Sequence, residues 1–324
     1  MSAPRVVIVG GGAWGTALAA VAVRAGASTS VLTRRAPEEW LQSAAPTLAS
    51  VRAEGLSVAA VSDPQRAKSA DLYVIAVKAQ ELRETLVRLS DLWRADAPIV
   101  VCCKGVENTT ALLMHEVAAE CAPHAPCAVL SGPNFAAEVA RGLPAACVLA
   151  AESEGVANDC ADMITSPNFR VYRSVDRIGV EIGGALKNIV AVACGMASGK
   201  KLGENAVAAL VTRALAEISR LALAAGAHPE TLYGLSGLGD MLLTCTSKTS
   251  RNFSYGARLA AGEKQPENAT AEGVASAKSV LALAKRFGAE DMPICFAVHR
   301  ILYEGASVDD EIAGLLGRPA KTEA

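Results

Sequence analysis

The feature of this sequence that most constrains its fold is a change of pattern near residue 178. Before that point, short β-rich runs such as RVVIV, LYVIAV and PIVVCC alternate with helical stretches such as QELRETLVRLSDLW. Several of these runs are apolar throughout, which is typical of strands buried on both faces of a parallel sheet. After residue 178 only helical patterns follow. The sequence therefore predicts a doubly wound α/β domain with a mainly parallel sheet over residues 1–178, followed by an all-α domain over residues 179–324.

Composition excludes several classes of protein. A chain of 324 residues with 51% hydrophobic and 20% charged residues is predicted to be globular, with two domains that each bury a core. A net charge of −2 gives no general attraction to nucleic acid or to an anionic membrane, so neither is an expected partner. The nine cysteines form no C-x-x-C pair and have no histidine cluster beside them. This pattern predicts reduced cysteines in a protein of the reducing cytoplasm, and no metal site.

Two apolar segments could be mistaken for targeting or membrane signals. The amino terminus, MSAPRVVIVG, lacks the longer apolar region and the cleavage site of a secretory signal. Residues 182–199 are long enough to cross a membrane, but they contain a central lysine and four glycines. We therefore expect a buried helix rather than a membrane span, in a cytoplasmic protein.

A glycine-rich turn follows the first predicted strand. The stretch VVIVGGGAWGTALA places Gly10, Gly12 and Gly15 in the G-x-G-x-x-G spacing of dinucleotide-binding Rossmann domains, between a strand and a helix. At the end of the second strand, SVLTRR offers Arg34 and Arg35 where an acid would bind the ribose 2′-hydroxyl of NAD(H). Because a guanidinium can bind a 2′-phosphate instead, the sequence favours NADP(H) as the cofactor, with NAD(H) as the second candidate.

The most unusual residue is Lys187, which lies among apolar and small residues in GGALKNIVAVACGMA. An apolar surround disfavours the ammonium form and lowers the pKa of a lysine, which suits an acid or base in hydride transfer to a carbonyl. Gly183 and Gly184 are expected to leave room for a ligand. A carboxylate partner is available in Asp240, which is the only acid over residues 231–262.

Three loops offer donors for an anionic substrate. The tripeptide SRN at residues 250–252 places a hydroxyl, a guanidinium and an amide in a row, which suits a phosphate monoester. The segments VVCCKGVE and LSGPNFAAE each follow a buried strand, at the strand ends where open α/β sheets bind their ligands. They contribute Lys104, Gly132 and Asn134 to the predicted site.

Together these motifs resemble the NAD(P)-dependent sn-glycerol-3-phosphate dehydrogenases of bacteria. The likeness runs through GGGAWGTALA, CKGVE, SGPNFAAE, GGALKN, SGLGDMLLTCTSKTSRN and MPICFAVHRILYEG, in that order, and covers nearly the whole chain. It implies a reversible reduction of dihydroxyacetone phosphate by NAD(P)H to sn-glycerol 3-phosphate, which supplies glycerophospholipid synthesis. It also implies a homodimer.

The resemblance assigns roles to particular residues. Lys187 falls on the family's catalytic proton donor and acceptor, with Asp240 and Lys104 as its expected catalytic partners. The implied substrate contacts are Lys104, Gly132, Asn134, Lys187, Asp240, Ser250, Arg251 and Asn252. The implied cofactor contacts are Ala13, Trp14, Arg34, Lys104, Ala136, Arg251, Thr270 and Glu272. The glycines of the turn, Gly10, Gly12 and Gly15, complete the predicted cofactor site.

Three positions depart from the commonest family pattern. Ala13 stands where serine is frequent, Asn134 where threonine is frequent, and Lys78 where proline is frequent. Ala13 keeps its backbone donor and Asn134 still supplies a polar group. Lys78 is expected to alter the loop beside the cofactor, and the sequence leaves its role open.

Two other functions stay open from the sequence. A related reductase for a hydroxy acid or a ketopantoate-like substrate would share the two-domain plan. However, the 3-hydroxyacid dehydrogenases use an asparagine four residues after the lysine, where this chain has Ala191. A non-catalytic regulator that senses NADP(H) would be signalled by degraded catalytic positions, whereas Lys104, Lys187, Asp240 and Arg251 are all present.

Overall fold

The computed structural model describes residues 2–266 and 271–319. Within these residues, the first half of the chain alternates strands with helices. The strands are β1 (Arg5–Val9), β2 (Ser28–Leu32), β3 (Ala59–Val61), β4 (Leu72–Ile75), β5 (Ile99–Val101), β6 (Cys127–Ser131), β7 (Ala145–Ala151) and β8 (Phe169–Ser174). The helices between them are α1 (Ala13–Arg24), α2 (Pro37–Ala44), α3 (Ala49–Ala53), α4 (Leu82–Arg88), α5 (Met114–Cys121), α6 (Ala136–Ala140) and α7 (Glu154–Asp162).

The strands of the described chain form one sheet in the order β3-β2-β1-β4-β5-β6-β7-β8. Every neighbouring pair is parallel except β6 and β7, which run antiparallel. β4 and β5 are buried along their whole length, as their continuously apolar sequences require. The predicted α/β class with a mainly parallel sheet is therefore confirmed. The parallel strands β1, β4, β5 and β6 end at the same edge of the sheet, and the predicted cofactor and substrate loops follow them.

The second half of the described chain is helical, which confirms the predicted all-α region. Its helices are α8 (Arg177–Gly199), α9 (Glu204–Ala224), α10 (Pro229–Tyr233), α11 (Asp240–Thr246), α12 (Arg251–Ala260), α13 (Glu272–Arg286), α14 (Pro293–His299) and α15 (Val308–Leu316). Two π-helical turns, Leu235–Gly239 and Arg300–Glu304, precede α11 and follow α14. The boundary at residues 178 and 179 lies in the first turn of α8 and stays a prediction.

Helix α8 is the centre of the helical half, and its residues from Gly179 to Ala197 are buried. Close packing against α12 depends on glycine in both helices. A Cβ on Gly195 would lie 2.0 Å from the carbonyl oxygen of Phe253, and one on Gly256 would lie 2.0 Å from that of Val192. Because real Cβ atoms do not approach so closely, the two backbones can touch only where both helices lack a side chain.

Among the described residues, α8 is the single helix that is long and apolar enough to cross a membrane. In this structure 94% of its most apolar window is buried by the surrounding protein. The segment thus packs as the core helix that its central lysine and glycines predicted.

Candidate active site

A buried carboxylate binds two lysines at the junction of the sheet and the helices. Asp240 Oδ1 accepts a hydrogen bond of 2.8 Å from Lys187 Nζ, and Asp240 Oδ2 accepts one of 2.7 Å from Lys104 Nζ. The side chain of Asp240 is 2% exposed, that of Lys187 8% and that of Lys104 16%. Three of the predicted site residues, which are far apart in the sequence, therefore meet in one ion-pair network.

Three different elements deliver these side chains. Lys187 lies near the middle of α8, and Asp240 is the first residue of α11, directly after the π-helical turn Leu235–Gly239. Lys104 lies three residues beyond β5, and its Nζ also donates to the carbonyl oxygen of Gly132 at 2.9 Å. That glycine has a φ of +153°, and a Cβ there would lie 2.8 Å from Cys147 Cα, so glycine is required at the end of β6.

The charges and the burial of the network shift the pKa values of Lys187 and Asp240. Burial lowers the pKa of Lys187 below its ordinary value, the charge of Asp240 offsets part of this effect, and the charge of Lys104 adds to it. Burial raises the pKa of Asp240, but the two ammonium groups outweigh it and hold that pKa below its ordinary value. The carboxylate therefore stays ionised while the lysine it binds becomes a stronger acid.

Thr244 belongs to the same network, although sequence reasoning did not identify it. Lys187 Nζ donates to Thr244 Oγ1 at 2.5 Å, and that hydroxyl donates to the backbone carbonyl of Asp240 at 2.7 Å. Thr244 lies four residues after Asp240, so both side chains lie on one face of α11. This spacing is the signal that could have revealed it.

A chain of amides lies beside Lys187. The backbone N–H of Gly273 donates to Asn252 Oδ1 at 2.9 Å, and Asn252 Nδ2 donates to Asn188 Oδ1 at 2.8 Å. Because Gly273 N–H can only donate, it fixes the orientation of both side-chain amides. Asn188 Nδ2 is left buried with no partner among the described residues. Asn252 was predicted to bind substrate. One of its two side-chain N–H groups donates to Asn188 within this chain of amides.

The tripeptide Ser250, Arg251 and Asn252, which was predicted to bind a phosphate, forms the amino-terminal cap and the first two residues of α12. Ser250 is the amino-terminal cap of this helix, and its Oγ accepts a hydrogen bond from Phe253 N at 3.3 Å. Arg251 is exposed and Asn252 is buried. A helix amino terminus presents free N–H groups and a partial positive charge, which favour a phosphate.

Several buried polar atoms of the loop after β6, the end of β6 and the π-helical turn before α11 lack a partner within the described ranges. Ser131 Oγ and Ser236 Oγ are among them, and both residues are at most 5% exposed. Asn134 Nδ2 donates to Ala146 O at 3.0 Å, which leaves Asn134 Oδ1 without a partner. Buried polar groups normally find partners in proteins, so such a group of atoms points to a polar ligand.

Gly183 and Gly184 do not leave room for a ligand, and that expectation was wrong. A Cβ on Gly184 would lie 2.5 Å from Ser131 Oγ, and one on Gly183 would lie 3.0 Å from Ser236 O. These glycines instead let α8 approach the end of β6 and the π-helical turn. They serve the site by bringing its elements together.

The turn between β1 and α1 fits the pyrophosphate of a dinucleotide. Gly10 has a φ of +114°, and a Cβ on Gly15 would lie 1.9 Å from the Gly10 carbonyl oxygen. By contrast, no atom lies within 4 Å of the position of a Cβ on Gly12. The turn is therefore tight at Gly10 and Gly15, where the backbone folds, and open at Gly12, where phosphates would approach the amino terminus of α1. The first two residues of that helix are Ala13 and Trp14.

The other predicted cofactor contacts lie on several elements. Arg34 follows β2 and is mostly exposed, and Ala136 begins α6. Glu272 begins α13 and is partly exposed; burial raises the pKa of its carboxyl, and the nearby cation Arg251 opposes that shift. Thr270 lies outside the described residues. Within the described ranges, no group of three or more His, Cys, Asp or Glu side chains could hold a metal ion.

Comparisons with known proteins place this geometry among related enzymes. The family model described as NAD-dependent glycerol-3-phosphate dehydrogenase N-terminus matches residues 5–157, and the corresponding C-terminus model matches residues 176–313. The chain is 48% identical over 329 residues to glycerol-3-phosphate dehydrogenase [NAD(P)+] of Parvibaculum lavamentivorans, with 98% of each chain covered. It is 47% identical over 333 residues to that of Caulobacter vibrioides, with 100% of each covered. The crystal structure of glycerol-3-phosphate dehydrogenase from Coxiella burnetii superposes with a TM-score of 0.86 at 35% identity, covering 98% of this chain and 99% of that one.

Proposed function

Because this chain belongs to the NAD-dependent glycerol-3-phosphate dehydrogenase family and is an NAD(P)-dependent enzyme of that activity, we propose that Lys187 is its catalytic acid and base. The favoured direction is reduction of dihydroxyacetone phosphate to sn-glycerol 3-phosphate, and the product supplies glycerophospholipid synthesis. The observation that carries the proposal is the carboxylate of Asp240, which binds Lys187 and Lys104 through its two oxygens.

In this mechanism the turn of Gly10 and Gly12 would hold NAD(P)H, which would supply the hydride for the carbonyl carbon of the substrate. Lys187 donates a proton from Nζ to the carbonyl oxygen, so the ketone becomes an alcohol. Asp240 and Thr244 hold Nζ in place through hydrogen bonds of 2.8 and 2.5 Å. A positioned general acid of this kind typically contributes about 10²–10⁴-fold to a rate.

Lys104 stabilises the same step. Its ammonium group lies on the other oxygen of Asp240, and it is more exposed than Lys187. It adds positive charge where negative charge develops on the substrate oxygen. Its charge also lowers the pKa of Lys187, so it makes Lys187 a better proton donor.

The phosphate of the substrate is assigned to the first turn of α12. Arg251 supplies a guanidinium, and Ser250 and Asn252 flank it at the helix amino terminus. Gly132 and Asn134, which follow β6, are assigned to the same substrate, and Gly132 lies beside it through its contact with Lys104. A hydroxyacid or ketopantoate-like substrate would carry a carboxylate and leave the phosphate clamp unexplained, and a non-catalytic sensor would not need the lysine network.

The decisive experiment follows NADPH absorbance with dihydroxyacetone phosphate, with NADH in parallel and with unphosphorylated dihydroxyacetone as the matched control. We expect rapid oxidation of the nucleotide only with the phosphorylated ketone. The Arg251→Ala variant, which lacks the guanidinium, should lose most of this activity. The loss should come chiefly from a higher KM for dihydroxyacetone phosphate. Equal rates with both ketones would contradict the phosphate assignment.

A cytoplasmic homodimer is the proposed state of the protein. The proposal rests on the family resemblance and on the reduced cysteines, none of which forms a disulfide in the described chain. Sedimentation equilibrium tests it directly. A mass of one chain at micromolar concentration would contradict it.

A further inference from the structure

Lys78 and Arg34 lie on opposite sides of the glycine turn. β1 pairs with β2 on one side and with β4 on the other, and the turn of Gly10 and Gly12 follows β1. Arg34 lies two residues beyond the end of β2, and Lys78 lies three residues beyond the end of β4. Both residues therefore lie at the edge of the sheet where a Rossmann domain binds the adenosine end of its cofactor.

The carboxylate of Glu81 lies between these two cations. Glu81 Oε2 is 3.4 Å from Arg34 Nη2, and Glu81 Oε1 is 3.6 Å from Lys78 Nζ. Each of its oxygens thus faces one positive charge, as two oxygens of a bound phosphate would. The arrangement shows that both side chains can reach a single anion.

These ion pairs are loose enough to be replaced. The side chains of Arg34 and Lys78 are 77% and 62% exposed, and both distances exceed those of well-formed charged hydrogen bonds. Exposed pairs of this kind contribute little to stability. A phosphate group carries more charge and more acceptor oxygens than a carboxylate, so it can displace Glu81.

Arg35 cannot take the role of Lys78. Its Nη2 donates to the carbonyl oxygen of Gly11 at 2.9 Å, and its Nη1 donates to Ser43 Oγ at 3.1 Å. This guanidinium therefore braces the glycine turn. Of the two arginines that follow β2, Arg34 is the one directed toward Glu81 and Lys78.

We propose that Lys78 is a cofactor-specificity residue: with Arg34 it binds the adenosine 2′-phosphate of NADPH, and Glu81 is the internal anion that this phosphate displaces. The inference rests on the proposed nucleotide site and extends it to a residue that departs from the commonest family pattern. Lys78 and Arg34 favour NADPH, whereas Glu81 opposes it and can accept a hydrogen bond from the 2′-hydroxyl of NADH. The balance of the three sets the preference.

Equilibrium binding tests this without turnover. Nucleotide fluorescence gives the Kd of NADPH and NADH, and calorimetry gives those of adenosine 2′,5′-bisphosphate and AMP. Lys78→Gln is expected to weaken NADPH and the bisphosphate by about three- to tenfold, with NADH and AMP unchanged. Glu81→Gln is expected to tighten NADPH. Lys68→Gln is the matched control, because Lys68 is also exposed but precedes β4 at the opposite edge of the sheet.

The outcomes separate this inference from the proposed reaction. The role of Lys78 is overturned if Lys78→Gln changes the affinities for NADPH and NADH by the same factor. It is also overturned if Lys78→Gln changes neither affinity. Weaker NADPH binding by Glu81→Gln overturns the role of Glu81. If the wild type binds NADPH more tightly than Lys78→Gln does, but does not reduce dihydroxyacetone phosphate, the inference is supported and the proposed reaction is overturned.

Discussion

Replacing Asp240 with asparagine tests the physical basis of the site, because it removes the one negative charge between the ammonium groups of buried Lys187 and partly buried Lys104. Each ion pair, at 2.8 and 2.7 Å, corresponds to about 6 kcal/mol of attraction at an effective dielectric of about 20. Desolvation opposes most of this attraction, and removal of one partner of a buried pair typically costs about 3–5 kcal/mol. That is a large part of a total stability of about 5–15 kcal/mol.

The pH dependence of this loss has a defined sign. Without Asp240, the folded-state pKa of Lys187 falls further below the ordinary value of 10.5. Between these two pKa values the unfolded chain binds more protons than the native protein, so the stability of the variant rises as pH rises. Asp240→Asn should therefore be most destabilised at low pH and recover toward pH about 10.

Urea unfolding of both proteins at neutral and at alkaline pH is the assay. The double variant Lys187→Met with Asp240→Asn is the control, since it also removes one uncompensated charge. It should recover stability relative to Asp240→Asn alone without recovering activity. Equal unfolding midpoints for wild type and Asp240→Asn at both pH values would refute the reasoning.

Three further results are expected. Lys187→Met should lower kcat by about 10²–10⁴-fold with the Kd of NADPH unchanged, measured by steady-state kinetics and nucleotide fluorescence. Burial raises the pKa of Glu217 to about 7, so its contribution to stability should fall as pH rises from about 4.5 to about 7. Urea midpoints compared with Glu217→Gln across that range should show it, and a constant difference would contradict it. Gly256→Ala should destabilise the fold by about 1–3 kcal/mol in thermal unfolding, because its Cβ would meet Val192 O. Gly314→Ala in α15, with no atom within 4 Å, should be neutral or stabilising.

Much of the fold and part of the site could be predicted from local patterns. The strands were visible because parallel strands buried on both faces need continuous apolar runs, and the glycine turn was visible because its spacing follows from backbone geometry. Lys187 was conspicuous because an ammonium group in an apolar segment is costly. Its pairing with Asp240 was predicted as a hypothesis from the absence of any other acid nearby in the sequence.

Other features depend on three-dimensional approach and left no local signal. The meeting of Lys104 with Asp240 requires β5 and α11 to converge across 136 residues of sequence. The π-helical turn that positions Asp240 looks like an ordinary glycine-rich loop in the sequence. Gly183 and Gly184 were misinterpreted because a missing side chain can accommodate either a ligand or a neighbouring backbone, and only the packing decides between them.

Because Asp240 is shared between two lysines, the pKa of Lys187 depends on where Lys104 lies. Lys187 and Asp240 both lie on the helices that follow residue 177, whereas Lys104 lies on the sheet that precedes it. If the sheet and the helices moved apart around a substrate, Lys187 would keep its carboxylate and Asp240 would lose Lys104. The pKa of Lys187 would then rise, since the charge of Lys104 is one of the causes that lower it. The low pKa of Lys187 therefore depends on the contact between the sheet and the helices as well as on the burial of Lys187 itself.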